Sequence, residues 1–272
     1  MATPRSTKEK DKESKLQARF ASIDLLIRSG QIKKARHELR EDLKQKLPRD
    51  WRAAYANLAR RSGLPMVSLR ILGTIFSQDH TLKPTSLENL AYGAGLAQIG
   101  AFREAREKLN ATDSEEFPEA LFHLALIEIM QWNYVSAESL LKRYLHNHRL
   151  SDYQKLIGQL NLASCYSATE KWLLAEPLLE RIRAKAKQNE HRLIEANSLE
   201  ILAQCFFFQK RFSQAQSILD EASQFIDDPT SPYSMYIKKW QILVDFFSAG
   251  TNKINALKNL SALRKQASTI GL

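Results

Sequence analysis

The sequence predicts an all-α protein built from consecutive helix pairs. Among 272 residues there are only 9 glycines and 8 prolines, and no long segment alternates apolar and polar residues as a half-buried strand does. A small residue followed by leucine four positions later recurs seven times, at spacings of 33, 37, 32, 38, 40 and 41 residues. We call the small residues the anchors: Ala35, Ser68, Ala105, Ala137, Ala175, Ala215 and Ala256. Their leucines are Leu39, Leu72, Leu109, Leu141, Leu179, Leu219 and Leu260.

The stretch around Ala215 shows what the recurring unit is. Phe212, Ala215, Leu219 and Ala222 follow one another at three, four and three residues. This spacing places all four on one face of an α-helix. Because the other anchors repeat the pattern, we expect each anchor to lie on the second helix of a pair.

Helix pairs can be placed in order along the chain from this pattern and from the glycine, proline and capping residues that bound its segments. Residues 1–15 mix basic and acidic side chains, which alternate from Lys8 to Glu13, and cannot bury much apolar surface. We therefore expect a flexible tail there and a repeat domain over residues 16–272. The seven predicted pairs cover residues 16–29 and 32–43, 51–61 and 65–76, 85–99 and 102–109, 115–131 and 134–146, 152–168 and 172–187, 191–209 and 212–226, and 233–248 and 254–267.

Glycine and capping residues mark several of the turns. Gly30, Gly63 and Gly100 stand where left-handed helix ends are expected. Ser114 is expected to cap the seventh helix. Pro177 falls a few residues inside a predicted helix and predicts a local irregularity.

Two further features concern packing and loops. Gly93 and Gly95 predict a close contact between helices. Residues 227–232 read Asp-Asp-Pro-Thr-Ser-Pro and predict the clearest loop of the chain.

The unit resembles the tetratricopeptide repeat, a helix-turn-helix of about 34 residues with small side chains where helices touch. Twelve residues before the anchors stand Ile23, Ala56, Gly93, Ala125, Ala163, Ala203 and Val244, which are small in the five central units. Three residues before the first six anchors stand Ile32, Pro65, Phe102, Tyr134, Trp172 and Phe212, where the family favours an aromatic. The spacings of 38 to 41 residues indicate a longer-helix, tetratricopeptide-like variant.

The resemblance carries expectations about architecture and activity. It implies a right-handed superhelical solenoid of about seven repeats, whose first helices line a concave side that holds a peptide or helix of another protein. We therefore expect a non-enzymatic scaffold or adaptor for protein partners.

Motifs of catalysis and metal binding do not contradict that expectation. Gly93-Ala94-Gly95 lacks the third glycine of a dinucleotide loop and no strand precedes it, so close helix packing explains it better. His146 and His148 have no third ligand at metal-binding spacing. Cys165 and Cys205 occupy the same place in neighbouring repeats and are expected to be small buried thiols. We expect no cofactor and no metal.

A partner-binding groove can be sketched by carrying over the inward positions of the family's first helices. Its centre is apolar, which favours an amphipathic helix or apolar peptide as partner, although the same residues could pack under the N-terminal helix or in a self-associating interface. The candidate groove residues are Asn57, Arg61, Leu90, Ala94, Phe122, Leu126, Met130, Leu160, Ser164, Gln204 and Phe208.

The basic first quarter of the chain supports a competing hypothesis. Up to Arg70 there are 18 Lys and Arg against 8 Asp and Glu, and the remainder balances. Such a patch, beside Trp51 and Tyr55, could contact nucleic acid, or it could be a solvated face or dock an acidic protein. The patch comprises Lys33, Arg36, Arg40, Lys44, Arg49, Arg52, Arg60 and Arg61. A third reading is a sensor of a peptide or small-molecule signal.

The compartment is predicted from the lack of targeting signals. The first 19 residues carry no apolar run of the length that a secretory signal needs, and no stretch is long and apolar enough to span a bilayer. We expect a cytoplasmic protein without a membrane partner.

Overall fold

The computed structural model describes residues 7–29, 31–77, 83–225, 232–249 and 252–269, and within these ranges the side chains from residue 13 onward except those of residues 232, 233, 249 and 269. Fourteen helices and no strand lie in this part of the chain, so the all-α prediction is confirmed. The helices are α1 (Thr7–Arg28), α2 (Ile32–Asp42), α3 (Arg49–Arg61), α4 (Pro65–Phe76), α5 (Ser86–Gln98), α6 (Phe102–Asn110), α7 (Glu119–Met130), α8 (Tyr134–His146), α9 (Asp152–Ala168), α10 (Trp172–Gln188), α11 (Arg192–Phe208), α12 (Phe212–Ser223), α13 (Pro232–Ala249) and α14 (Lys253–Thr269).

The chain forms two compact units. Residues 1–127 make unit 1 and residues 128–272 make unit 2, with the boundary inside α7. Within each unit a helix packs on the next in sequence, and the first helices of neighbouring pairs also touch: α3 contacts α5 in unit 1, and α11 contacts both α9 and α13 in unit 2. This is the nearest-neighbour packing of a helical repeat.

The recurring anchor pattern is the core of both units. All seven anchors are buried, and so are all seven residues twelve positions before them. Of the seven leucines only Leu260, in the last helix, is partly exposed. Each second helix begins three residues before its anchor, from Ile32 in α2 to Lys253 in α14. The predicted register is therefore confirmed throughout the array.

The turns between helices share one backbone geometry, with or without glycine. Gly63 and Gly100 have positive φ, but so do Trp132, Glu170 and Lys210, at φ values of 64°, 58° and 61°. In each case the residue after the one with positive φ donates its amide to the carbonyl five residues before itself, for example Arg211 to Phe206 at 2.8 Å. This hydrogen bond belongs to the left-handed helix ending that glycine normally supplies.

Several predicted helix boundaries differ from the structure. α1 begins at Thr7, so helical backbone extends into the segment assigned to the tail. α7 begins at Glu119, and in the turn before it the Asp113 carboxylate, and not Ser114, accepts the amides of Glu115 and Glu116. Pro177 lies inside a continuous α10.

Two of the features that predicted turns lie outside the described residues: Gly30, and residues 227–231 of the expected loop. Pro232, the last residue of that expected loop, begins α13.

Thr85 and Glu88 form a reciprocal capping box at the start of α5, and Arg49 holds both oxygens of Glu88 at 2.8 Å.

Glycine permits close approach at the contact predicted for Gly93. A Cβ added there would lie 2.9 Å from Leu109 Cγ and 3.2 Å from the carbonyl oxygen of Ala105 on α6. In unit 2 a Cβ on Gly158 would lie 2.7 Å from the ring of Tyr144. Both distances are shorter than carbon–carbon contact allows, so these helices pack at a separation that only glycine permits.

An ion pair recurs between neighbouring repeats of unit 2. Glu138, one residue after its anchor, accepts from Lys171 Nζ at 2.6 Å, and Glu176, in the same place one repeat later, accepts from Arg211 at 3.1 Å. Each cation also lies over a ring of its own pair, with the Arg211 guanidinium carbon 4.1 Å from the Phe206 centroid. The repeats are thus joined by a charge contact in addition to their core.

We expect Gly93→Ala to lower the free energy of unfolding of unit 1 by about 1–3 kcal/mol, since the added methyl group must displace Leu109 or α6. Gly73→Ala is the matched control in α4 of the same unit, where a Cβ meets nothing within 4 Å. It should instead stabilise by about 0.5–1 kcal/mol. Urea unfolding followed by circular dichroism measures both, and equal effects of the two substitutions would contradict the close contact.

We expect Lys210→Gly to raise the stability of unit 2 by about 0.5–1 kcal/mol, because glycine relieves the left-handed backbone strain at this turn. Ser217→Gly, at an exposed position inside α12, should cost about 0.5 kcal/mol. Thermal unfolding of the two variants distinguishes a turn-specific gain from a general effect of glycine, and a loss of stability in Lys210→Gly would refute the argument.

Candidate functional site

The predicted groove residues divide into those open to a partner and those used in packing. Leu90 and Leu160 are only 9% and 8% exposed and therefore belong to the core of their units. Ala94 is buried and Ser164 is partly buried. Asn57, Met130 and Phe208 are exposed, and Arg61, Phe122, Leu126 and Gln204 are partly exposed.

In unit 1, a polar cluster is formed by side chains of α3 and α7. Arg60 Nη2 donates to Asn57 Oδ1 at 2.9 Å, while its buried Nε has no hydrogen-bond partner. Burial, together with neighbouring Arg61, lowers the pKa of Arg60 to about 10. His123, whose ring lies edge-on to Phe122 at 5.8 Å, has its pKa lowered to about 3 by burial and by Arg60. The imidazole is therefore neutral beside a guanidinium that is incompletely bonded.

Arg61 contacts α1. It forms an ion pair with Asp24, which also binds Arg28 Nε at 2.7 Å. The charge of Arg61 is thus compensated within unit 1, and the residue ties the first helix of one pair to the first helix of the next.

In unit 2, an aromatic recess is formed by Trp172, Phe208 and Trp240. The Trp172 and Phe208 rings are nearly parallel with centroids 6.3 Å apart, and Trp240 meets Phe208 edge-on at 5.8 Å. Phe208 remains 54% exposed, although it touches both tryptophans. Three helices, α10, α11 and α13, therefore present one exposed ring supported by two others.

A carboxylate that sequence reasoning missed stands beside this recess. Glu200 Oε1 accepts from Gln204 Nε2 at 2.7 Å, and burial raises the pKa of Glu200, opposed by Lys239, Gln204 and Trp240. Lys239 Nζ lies 4.5 Å from the Trp240 ring centroid. Glu200 occupies the position fifteen residues before its anchor, as Leu160, Phe122 and Leu90 do in earlier repeats, so this alignment was the signal that could have revealed it.

A second exposed apolar surface was also missed. Val135 and Leu173 stand two residues before consecutive anchors and are both exposed, as is Trp132 at the preceding turn. They lie at the start of second helices, away from the predicted groove positions. Their equivalence between repeats was visible in the sequence.

The predicted basic patch is largely committed to contacts within unit 1. Arg36 Nε donates to the carbonyl of Ser62 at 2.6 Å, Arg52 donates to Thr74 Oγ1 at 3.0 Å, and Lys44 pairs with Glu41 at 2.7 Å. Arg49 is bound to Glu88, as described above. Lys33 and Arg40 are exposed.

The aromatic residues expected beside that patch are packed. Tyr55 is fully buried and donates to Asp42 Oδ2 at 3.0 Å, and Trp51 and Phe20 contact it edge-on or tilted. Tyr55 therefore offers no free ring face for stacking on a base, because its ring belongs to the core of the first two pairs.

Other candidate sites have structural explanations. Cys165 and Cys205 are free and buried, and burial raises their pKa values to about 12 and about 11. No group of three His, Cys, Asp or Glu side chains that could hold a metal ion occurs among the residues that the structure describes. None of the described helices is long and apolar enough to cross a bilayer.

Comparison with known proteins agrees with the helical repeat. Residues 155–226 match the family model described as Tetratricopeptide repeat. No curated protein matches the sequence.

Solved structures of helical-repeat proteins superpose on most of the chain. NprR in complex with its cognate peptide NprX is 14% identical, with 93% of this chain and 79% of that chain covered and a TM-score of 0.62. The Rap conjugation gene regulator of plasmid pLS20, in complex with the Phr* peptide, is 10% identical, with coverage of 94% and 75% and a TM-score of 0.57. Aspartyl phosphate phosphatase F from Bacillus subtilis is 14% identical, with coverage of 100% and 77% and a TM-score of 0.54.

At these identities the likeness concerns the fold. Together with the buried anchors and the family match, this likeness confirms the resemblance to the tetratricopeptide repeat. The chain is an all-α helical-repeat protein in which residues 155–226 match the tetratricopeptide repeat.

Proposed function

We propose that this protein is a non-enzymatic scaffold or adaptor that binds a peptide or helical segment of a partner protein on the inner faces of its first helices. The observation that carries this proposal is the exposed Phe208 ring held between Trp172 and Trp240. A half-exposed aromatic side chain whose position is fixed by two others resembles the anchor positions of protein interfaces.

Burial of such a ring would contribute measurably to binding. Each 100 Å² of apolar surface removed from water contributes about 2.5 kcal/mol, and ordering costs are small because Phe208 already has its orientation. Met130, on α7 at the edge of unit 2, is 50% exposed and adds a flexible apolar contact. We place the main apolar contact of the partner on unit 2.

Two structural relatives support a peptide as the bound species. NprR and the pLS20 Rap regulator were each solved with a peptide, named NprX and Phr* respectively. Their helices superpose on more than nine-tenths of this chain. We extend peptide binding to this chain on the basis of its own recess, because the fold is compatible with more than one function.

The polar cluster of unit 1 offers hydrogen-bonding groups of its own to a bound segment. Asn57 is exposed, and Arg60 carries a buried Nε without a partner. An amide and a guanidinium can donate to main-chain carbonyl groups of an extended peptide. We assign this polar role to Asn57 and Arg60, and no clamp role to Arg61, whose charge is paired with Asp24.

The two other readings stay predictions. Contact with nucleic acid would rest on the basic first quarter of the chain, where Lys33 and Arg40 of α2 are exposed, and would show a steep loss of affinity with added salt. A sensor of a peptide signal would use the same inner faces and differ in the response that binding triggers. Location in the cytoplasm is likewise part of the proposal.

The proposal predicts that a random twelve-residue peptide library displayed on phage yields peptides that bind the purified full chain. We expect Phe208→Ser to weaken the enriched peptides about tenfold or more, as loss of a central aromatic anchor typically does. Fluorescence anisotropy with the synthetic peptides measures this loss.

Val135→Ser is the matched control, since it removes an exposed apolar side chain of the same unit from a different surface. It should leave the affinity within about twofold. Circular dichroism and thermal unfolding establish that both variants remain folded. A library without enrichment, or peptides that respond to Val135→Ser and not to Phe208→Ser, would contradict the proposed surface.

A further inference from the structure

We propose that two copies of this chain associate through an exposed apolar surface of unit 2. The surface, which we call the dimer surface, consists of Trp132, Val135, Leu173 and Leu174. None of the four is a predicted groove residue, so this inference does not depend on peptide binding.

The dimer surface is unusually open to solvent for apolar side chains. Leu173 is 93% exposed, Trp132 78% and Val135 71%, and Leu174 is half-exposed. Leu173 and Leu174 lie in the first turn of α10, Val135 in the first turn of α8, and Trp132 in the turn before α8. Single exposed apolar residues are common on protein surfaces, and only a contiguous group indicates an interaction site.

An ion pair places the two parts of the dimer surface next to each other. Lys171, the residue before α10, donates from Nζ to Glu138 of α8 at 2.6 Å. Val135 stands three residues before Glu138, and Leu173 stands two residues after Lys171. Because Val135 and Leu173 hold the same place relative to their anchors, the repeat directs both side chains to the same side of unit 2. The four residues therefore form one surface across two repeats.

The centre of this surface is uncharged and its edges are charged. In the first two turns of α8 and α10, Glu138 and Glu176 are held in the ion pairs described above. Exposed charges stand at the edges, at Glu170 before α10 and at Lys142 and Glu180 further along the helices. A neutral centre with a polar rim is the composition of a protein interface. The exposed positions of these two turns are Val135, Ser136, Ser139, Leu173, Leu174 and Pro177.

The area of the dimer surface fits the association of two copies. At these exposed fractions the four side chains present about 400–600 Å² of apolar surface, which equals the largest apolar patches of monomeric proteins. Two such surfaces together bury about 1,000 Å², to which the neighbouring Ser136, Ser139 and Pro177 add. Specific interfaces bury about 1,200–2,000 Å² in total.

The charges around the dimer surface also favour a second copy as the partner. An uncharged centre selects neither an acidic nor a basic protein. The rim carries both signs, with Glu170 and Glu180 on one helix pair and Lys142 on the other. In a two-fold dimer each surface meets itself, so acids and bases of such a rim find opposite charges on the other copy.

The test is sedimentation velocity of the full chain over a series of concentrations. We expect a dimer below about 100 μM, since interfaces of this size associate in the micromolar range or more tightly. Leu173→Glu puts a charge into the apolar centre and should weaken dimerisation about tenfold or more. Ile254→Glu is the matched control, because Ile254 is also exposed, lies in unit 2 and stands two residues before its own anchor. It should change the dimer affinity by less than about twofold.

A mixture of two variants tests whether the two surfaces face each other. Leu173→Glu and Leu173→Lys should each dimerise poorly, because like charges meet at the centre. An equimolar mixture brings opposite charges together and should associate about tenfold more tightly than either variant alone. Circular dichroism establishes that the variants are folded, as expected for substitutions of an exposed side chain.

Three outcomes would overturn the inference. The first is a wild-type chain that remains monomeric at about 100 μM. The second is a dimer that Leu173→Glu and Ile254→Glu weaken equally, and the third is a mixture of the two Leu173 variants that associates no better than its components. A phage library without binding peptides overturns the proposed function and leaves the dimer unaffected.

Discussion

Close approach between neighbouring helices, which small side chains permit, is the contact on which the packing of both units depends. Gly93 and Gly158 leave no space for a Cβ, and the buried alanine anchors hold the same kind of contact in other repeats. Because the close contacts occupy one side of each helix, larger side chains fill the remaining core. The positions left over on the first helices are those that carry Asn57, Glu200 and Phe208.

Much of the fold could be predicted because burial imposes a period on the sequence. The anchors and their leucines marked every second helix, since a helix that packs on two neighbours must repeat its small and large side chains. The turns at Trp132, Glu170 and Lys210 could not be found from glycine, because these residues adopt the left-handed backbone themselves. Tertiary packing there outweighs a local strain of about 1 kcal/mol.

The site was harder to predict than the fold. Phe208 is exposed where the pattern placed it, but Leu90, which stands eight positions earlier in its own repeat, is buried. The inward positions carried over from the family therefore include both packed and open side chains. Charge was more misleading still: Arg49 counted towards a basic patch and yet completes the cap of α5 with Glu88. Glu200 was missed although it stands where Leu90, Phe122 and Leu160 stand in earlier repeats.

The recurring ion pair of unit 2 has a consequence for how such a chain can lengthen. Glu138 meets Lys171 one repeat later, and Glu176 meets Arg211 in the same manner. The α9–α10 pair therefore carries a base, Lys171, for the pair before it and an acid, Glu176, for the pair after it. An in-frame duplication of this pair would bring matching charges to the new junction, so gene duplication could add a repeat here without a new interface having to evolve.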